Sequence, residues 1–126
     1  MKVKLLRIFV VLSVVSLFIV GVYAANSPSS CTLNKGESSK ETNAVGVSKS
    51  ADWMAKGYSD STYGSYVDIY AAWTGWPYTK EYAGSVFANG ILEYRETQSK
   101  DSVFYLKLRP MNPSKQSHSY GTIKAI

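Results

Sequence analysis

The sequence predicts an all-β protein, a small antiparallel β-sandwich or an open barrel, and three observations carry that expectation. From Ala51 to Ile126 the chain is dense in Tyr, Trp and Phe, the residues that fit a pleated, half-buried surface. Asn89-Gly90 stands between two strand-forming runs, and this dipeptide best tolerates the positive φ angles of a two-residue hairpin turn. Tyr63 to Trp73 alternates with a period of two, and nothing after the leader sustains a helical period.

The 126 residues suit one domain preceded by a leader. Lys2, Lys4 and Arg7 precede an apolar run from Ile8 to Val22, and Val22-Tyr23-Ala24 supplies a small-residue cleavage site. Residues 1–24 therefore read as a signal peptide cleaved after Ala24, which makes the protein secreted. The alternative is an uncleaved anchor over Leu5–Tyr23, with the positive flank inside and the rest of the chain outside. Residues 25–50 are rich in Ser, Asn, Lys, Gly and Glu, and read as a flexible arm or propeptide. Residues 51–126 read as the β-domain.

Within that domain, Ala51–Lys56 allows one helical turn. In the Tyr63–Trp73 strand, Val67, Ile69 and Trp73 face inward, with Tyr66, Asp68 and Tyr70 on the other side. Thr74-Gly75-Trp76-Pro77 is a turn. A hairpin around Asn89-Gly90 places Phe87 opposite Leu92 and Ser85 opposite Tyr94, with Phe87, Leu92 and Tyr94 on the core face and Glu93 and Arg95 in water. Gln98–Asp101 is a polar loop. Val103–Leu108 is the next strand, with Phe104, Leu106 and Leu108 on one face, and Tyr120–Ile126 adds a last one.

Charge and chemistry exclude several classes. Of 14 basic side chains, three lie in the leader, leaving 11 against 9 acidic ones, a net of +2 for the exported chain. That is too mild and too scattered for nucleic acid. Cys31 and His118 each stand alone in their class, so zinc or iron ligation is not expected, and no cofactor is implied. Cys31 reads as an inert thiol, with an intermolecular disulfide as the alternative. His118 reads as a solvated loop residue. Neither a nucleophile elbow nor a phosphate-cradling loop is present, and no carboxylate pair stands out, so no catalytic residue is assigned.

Binding is the better expectation. Trp73, Trp76, Tyr78 and Tyr82 cluster around Gly75 and Pro77, with Lys80 and Glu81 alongside, and rings on such a turn stack on sugars or sit at a membrane interface. The competing reading makes Trp73 and Tyr82 core plugs and leaves only Trp76 exposed. Tyr66 and Tyr70 share one strand face and suit a contact surface in the same way.

The run W-x-x-x-G-Y-S-D-S-T-Y-G-S-Y from Trp53 to Tyr66, followed by A-G-S-V-F-A-N-G-I-L-E-Y-R from Ala83 to Arg95, resembles the lactococcin 972 family of secreted bacteriocins. The resemblance extends roughly from Trp53 to Leu108. It implies a secreted β-sandwich without disulfides that acts on a cell-wall precursor outside bacterial cells. The chain departs from the family in having no histidines near its first hairpin and no aromatic C-terminus. The expected partners are thus a cell-wall precursor or envelope polymer. A protein partner is the alternative (for an inhibitor, an immunity factor or a surface subunit), and a homodimer through an exposed sheet edge is allowed. Membrane contact is confined to the leader or to surface aromatics.

Overall fold

The computed structural model describes residues 28–126. The leader and its cleavage site lie outside the described residues. Seven strands form one antiparallel, unclosed sheet: β1 (Ser29–Leu33), β2 (Lys40–Glu41), β3 (Val45–Gly57), β4 (Ser65–Trp73), β5 (Thr79–Val86), β6 (Ile91–Pro110) and β7 (Ser119–Ala125). The main path runs β1-β7-β3-β6-β4-β5, with β2 beside β6.

The 20-residue β6 lets this one sheet fold over into two layers. Its first part, Ile91–Thr97, pairs with Ser50–Lys56 of β3. Its second part, Ser102–Pro110, pairs with β4, and Leu108 and Lys107 pair with β2. Strand β3 also changes layer. Val45 pairs with Phe104, and the register slips twice before Ser50 meets Thr97. Gly46 stands at this crossing with φ 148°, where a side chain would run into the Ser102 carbonyl.

Alternation does the rest. Leu33, Ala51, Trp53, Ala55, Ile123 and Ala125 from one layer meet Val67, Ile69, Ala71, Val86, Phe104, Leu106 and Leu108 from the other. Gly121 of β7 lies so close to the Leu106 side chain of the facing layer that it leaves no room for a Cβ. Trp53 of β3 packs on Tyr82 of β5 at 4.8 Å and on Tyr94 of β6 at 5.6 Å, which fills the gap between the layers on their open side.

The sandwich-like all-β expectation holds, as do the inward faces of Val67, Ile69, Phe104, Leu106 and Leu108. Four local expectations are corrected. First, the segment expected to be a flexible arm carries β1, β2 and the start of β3. Cys31, Leu33 and Val45 are buried there, because β7 and β6 supply cover that 25–50 lacks by itself. Second, Ala51–Lys56 is strand, held between β6 and β7. Third, Gln98–Asp101 is not a loop but the middle of β6, where the strand passes from one layer to the other.

Fourth, Asn89-Gly90 does turn the chain, but β5 and β6 do not pair. Gly90 N–H donates to Phe87 O at 2.8 Å and Asn89 alone takes positive φ, 62°, as in a type II turn. The end of β3 holds the turn: Asn89 N–H donates to Gly57 O at 2.9 Å and Gly57 N–H to Gly90 O at 3.0 Å. Strand β5 goes to the free edge of β4 instead. Phe87, expected on the core face, is consequently exposed. Leu92 packs on the core, and Tyr94 shares its inward face, with its ring against Trp53 and Tyr82, but stays 55% exposed because no strand covers that edge.

Leu33 decides whether the first strands are structural. It is fully buried, so Leu33→Ala should cost about 2–5 kcal/mol in urea unfolding. An unchanged unfolding midpoint would return the segment to the status of an arm.

Candidate functional site

The solvent side of the β5-β4-β6 layer carries a concentration of aromatic and charged side chains. Strand alternation on β4 sets Tyr66, Asp68 and Tyr70 on this side, opposite the buried Val67 and Ile69. The β6 register adds Arg109 opposite Tyr66, Lys107 opposite Asp68 and Tyr105 opposite Tyr70. On β5, Lys80 lies opposite Tyr70, while Ala83 and Ser85 lie opposite Asp68 and Tyr66.

Asp68 is the centre of this face. Its side chain is 1% exposed although it points away from the core. Arg109 Nε donates to Oδ2 at 2.7 Å, and Lys80 Nζ stands 3.5 Å from Oδ1. Oδ1 accepts no hydrogen bond from the described residues. Such a buried carboxylate is tolerated because two cations flank it, and removing one of them would leave an under-compensated charge. Both cations keep solvent contact, at 39% and 41% side-chain exposure, so each can also meet a ligand. The hydrogen bond to Asp68 raises the pKa of Arg109, so it stays charged throughout.

The rings around this centre are engaged with one another. Tyr70 and Tyr105 stack at 4.8 Å with 8° between planes, and Tyr78 meets Tyr105 edge-on at 4.8 Å. Lys80 Nζ lies 5.8 Å from the Tyr70 centroid, and the Arg109 guanidinium 4.9 Å from that of Tyr66. Burial, then the Glu41 carboxylate and the neighbouring Tyr70, push the Tyr105 phenol up to about 12. Burial and Glu41 raise Tyr78 in the same direction. With these ring faces in use, the surface presents phenol edges and cationic heads, groups suited to hydroxyl and anionic partners.

The structure splits the cluster that the sequence suggests around Gly75. Tyr78 joins Tyr66 and Tyr70 on the tyrosine face. Tyr82 packs on Trp53 and the core. Trp73 and Trp76 line a separate cleft of about 270 Å³ with Pro77, Thr79, Glu81 and Gln98. Lys100 Nζ covers the Trp73 ring at 4.6 Å, and Trp76 is 61% exposed. The sequence places Lys80 beside the aromatic cluster but does not single out Tyr105, Lys107 or Arg109 as site residues. The signal lay in the Val103–Arg109 alternation, which sets Tyr105, Lys107 and Arg109 opposite Phe104, Leu106 and Leu108.

Two other groups were placed differently from expectation. His118 is not freely solvated: Nδ1 lies 2.6 Å from Asp60 Oδ1, and the ring packs on Tyr58 at 4.2 Å. The hydrogen bond to His118 holds the Asp60 carboxyl below its usual range. Cys31 lies within β1 rather than in a flexible segment, and burial pushes its thiol up to about 11, which keeps it protonated and inert.

No protein-family model matches the chain, and no curated protein matches it. Among solved structures, the PBSX exported protein XepA aligns with a TM-score of 0.51 and 15% identity, over 77% of this chain and 35% of that one. This chain thus spans about a third of the XepA chain. PirA aligns with a TM-score of 0.47 and 11% identity, over 79% of this chain and 93% of that one. The Yersinia pseudotuberculosis-derived mitogen aligns with a TM-score of 0.47 and 12% identity, over 79% and 85%. At these identities the likeness to XepA is one of fold: a β-rich domain.

The Tyr105 phenol gives the face a pH signature. Its folded pKa of about 12 lies above the ordinary value of 10, so the folded state favours the neutral phenol. This contribution is complete below pH 10 and is lost as pH rises from 10 through 12. Urea unfolding over that window should show a falling midpoint in the native sequence and a shallower fall in Tyr105→Phe. Parallel curves would mean that Tyr105 is not held in this environment.

Proposed function

We propose that this chain is a secreted, bacteriocin-like protein that binds a bacterial envelope polymer non-covalently through its tyrosine face and catalyses no reaction. The observation that carries this reading is the arrangement of Lys80, Lys107 and Arg109 among Tyr66, Tyr70, Tyr78 and Tyr105. Asp68 holds two of the three cations in place. Cationic heads between phenol edges suit a chain that alternates hydroxyl groups with phosphate or carboxylate groups, as cell-wall polymers and their lipid-linked precursors do. Trp76, with its exposed ring in the separate cleft at the β4–β5 turn, offers a second contact with a face free for sugar stacking. The leader pattern, which would export the domain to that target, and the resemblance to the lactococcin 972 family point the same way.

A second reading, a secreted protein that binds another protein, draws on a different observation. Phe87 and Ile91 flank the β5–β6 turn at 57% and 65% exposure. Exposed apolar residues of this size suit a protein contact better than a polar polymer.

Co-sedimentation with isolated cell walls separates the two. The native protein should bind saturably, and Lys80→Ala combined with Lys107→Ala should weaken binding roughly tenfold and flatten its salt dependence. Trp76→Ala should weaken it without changing that salt dependence. Anionic vesicles, run in parallel, report whether a lipid surface suffices. Wall binding that is absent, or indifferent to both cations, would remove the tyrosine face as the site and favour the protein partner.

A further inference from the structure

We infer that the chain forms a two-fold symmetric dimer by antiparallel pairing of the free edge of β6, from Ile91 to Thr97, with the same edge of a second copy. Strand β6 pairs with β3 along this stretch, while β5, the next strand in sequence, pairs with β4. The other edge of Ile91–Thr97 therefore has no strand partner among the described residues. Its N–H and C=O groups are a template for another strand.

Proteins usually blunt such edges, and the comparison with β5 is informative. The outer edge of β5 is broken by a bulge: Ile69 pairs with Tyr82 and Tyr70 with Lys80, which leaves Glu81 as the extra residue. The Ile91–Thr97 stretch has no such device. Its register against β3 is regular from Lys56↔Ile91 to Ser50↔Thr97, and it carries the exposed Ile91 and Tyr94.

The side chains choose both the partner and the register. A two-fold axis normal to the sheet keeps inward residues inward, so only residues of like parity oppose each other. Centring the pair on Tyr94 sets Glu93 of each copy opposite Arg95 of the other. It also sets Leu92 opposite Glu96 and Ile91 opposite Thr97. Centring on Glu93 or Arg95 would instead oppose like charges, which is unfavourable. The Tyr94 register thus gives two reciprocal ion pairs. Within each copy, Asp52 already holds Arg95 at 2.8 Å on the same face, so Arg95 would lie between two carboxylates. This self-complementarity is what an isologous interface requires, and it closes at two copies. The contact lies on the layer away from the tyrosine face, so both faces would stay open and a repetitive polymer could be held at two points.

Two experiments on the intact secreted protein test the dimer and its register. In sedimentation at up to roughly 100 µM, a range that detects weak association, the native protein should be a dimer. Glu93→Arg and Arg95→Glu should each raise the dissociation constant by roughly tenfold or more, since each change acts twice. The double variant should regain affinity. Tyr94→Cys tests the axis directly. Opposed Cα atoms in an antiparallel pair lie about 4.5–5.5 Å apart, within the roughly 4.4–6.8 Å that a disulfide spans. Tyr94→Cys should therefore oxidise to a covalent dimer, and Thr97→Cys should not, because it faces position 91. Native Cys31 is buried and serves as the internal control. A monomer throughout the concentration range overturns the proposal, as does a dimer insensitive to both charge reversals. A dimer in which Thr97→Cys crosslinks and Tyr94→Cys does not overturns the register.

Discussion

The structure depends on β6 belonging to both layers. A strand that pairs with β3 over its first third and with β4 over its last part must bend and twist between them, and this bend makes one sheet into a two-layer core. The polar stretch Gln98–Asp101 sits at the bend for a physical reason. There the strand leaves one layer before it has fully entered the other, so its side chains find no core to fill. Lys100 turns back over the Trp73 ring, and the Ser102 hydroxyl donates to the Lys100 carbonyl at 2.9 Å. Buried Val103, Phe104, Leu106 and Leu108 follow at once. Strand β3 makes the same passage at Gly46, so the two crossing strands run side by side and brace each other.

What was legible in the sequence was what depends on near neighbours. Alternation gave the two faces of β4 and of Val103–Leu108, because a period of two survives whatever strand lies alongside. Asn89-Gly90 was correctly a turn, since φ at Asn89 is a local matter. Which strands flank that turn was not legible. Hydrogen bonds from Asn89 and to Gly90 go to Gly57, far away in the chain, and β5 pairs with β4 instead of β6. The first strands were hidden for a related reason. Cys31, Leu33 and Val45 are isolated apolar residues in a polar stretch, and only β7 and β6, about 60 to 90 residues later, make them core.

The candidate site follows the same division. Tyr66 and Tyr70 were visible as one strand face, whereas their partners Tyr105, Lys107 and Arg109 depend on the β4–β6 register. Asp68 shows most clearly why register matters. Alternation assigns it to the wet side, and it does point there, but Arg109 and Lys80 from the two flanking strands close over it. A residue can thus be outward in direction and buried in fact when long cationic side chains lie across it.

That burial constrains what the face can recognise. A sugar-binding platform in the usual sense offers a broad ring face to the apolar side of a pyranose. Here Tyr70, Tyr105 and Tyr66 have given faces to one another, to Lys80 and to Arg109. Rings that already stack on one another or lie beside cations have less entropy to lose on binding than free side chains have. Lys80 and Arg109 are likewise held in advance, since Asp68 orients them without being reachable itself. A ligand of the proposed kind would therefore supply what this array lacks, namely acceptors for phenol hydroxyls and negative charge for Lys80, Lys107 and Arg109. An apolar ligand would strip water from these heads and return nothing for it. The tyrosine face is in this sense a polar surface built from aromatic residues, and under the proposed function it would select by charge placement more than by ring area.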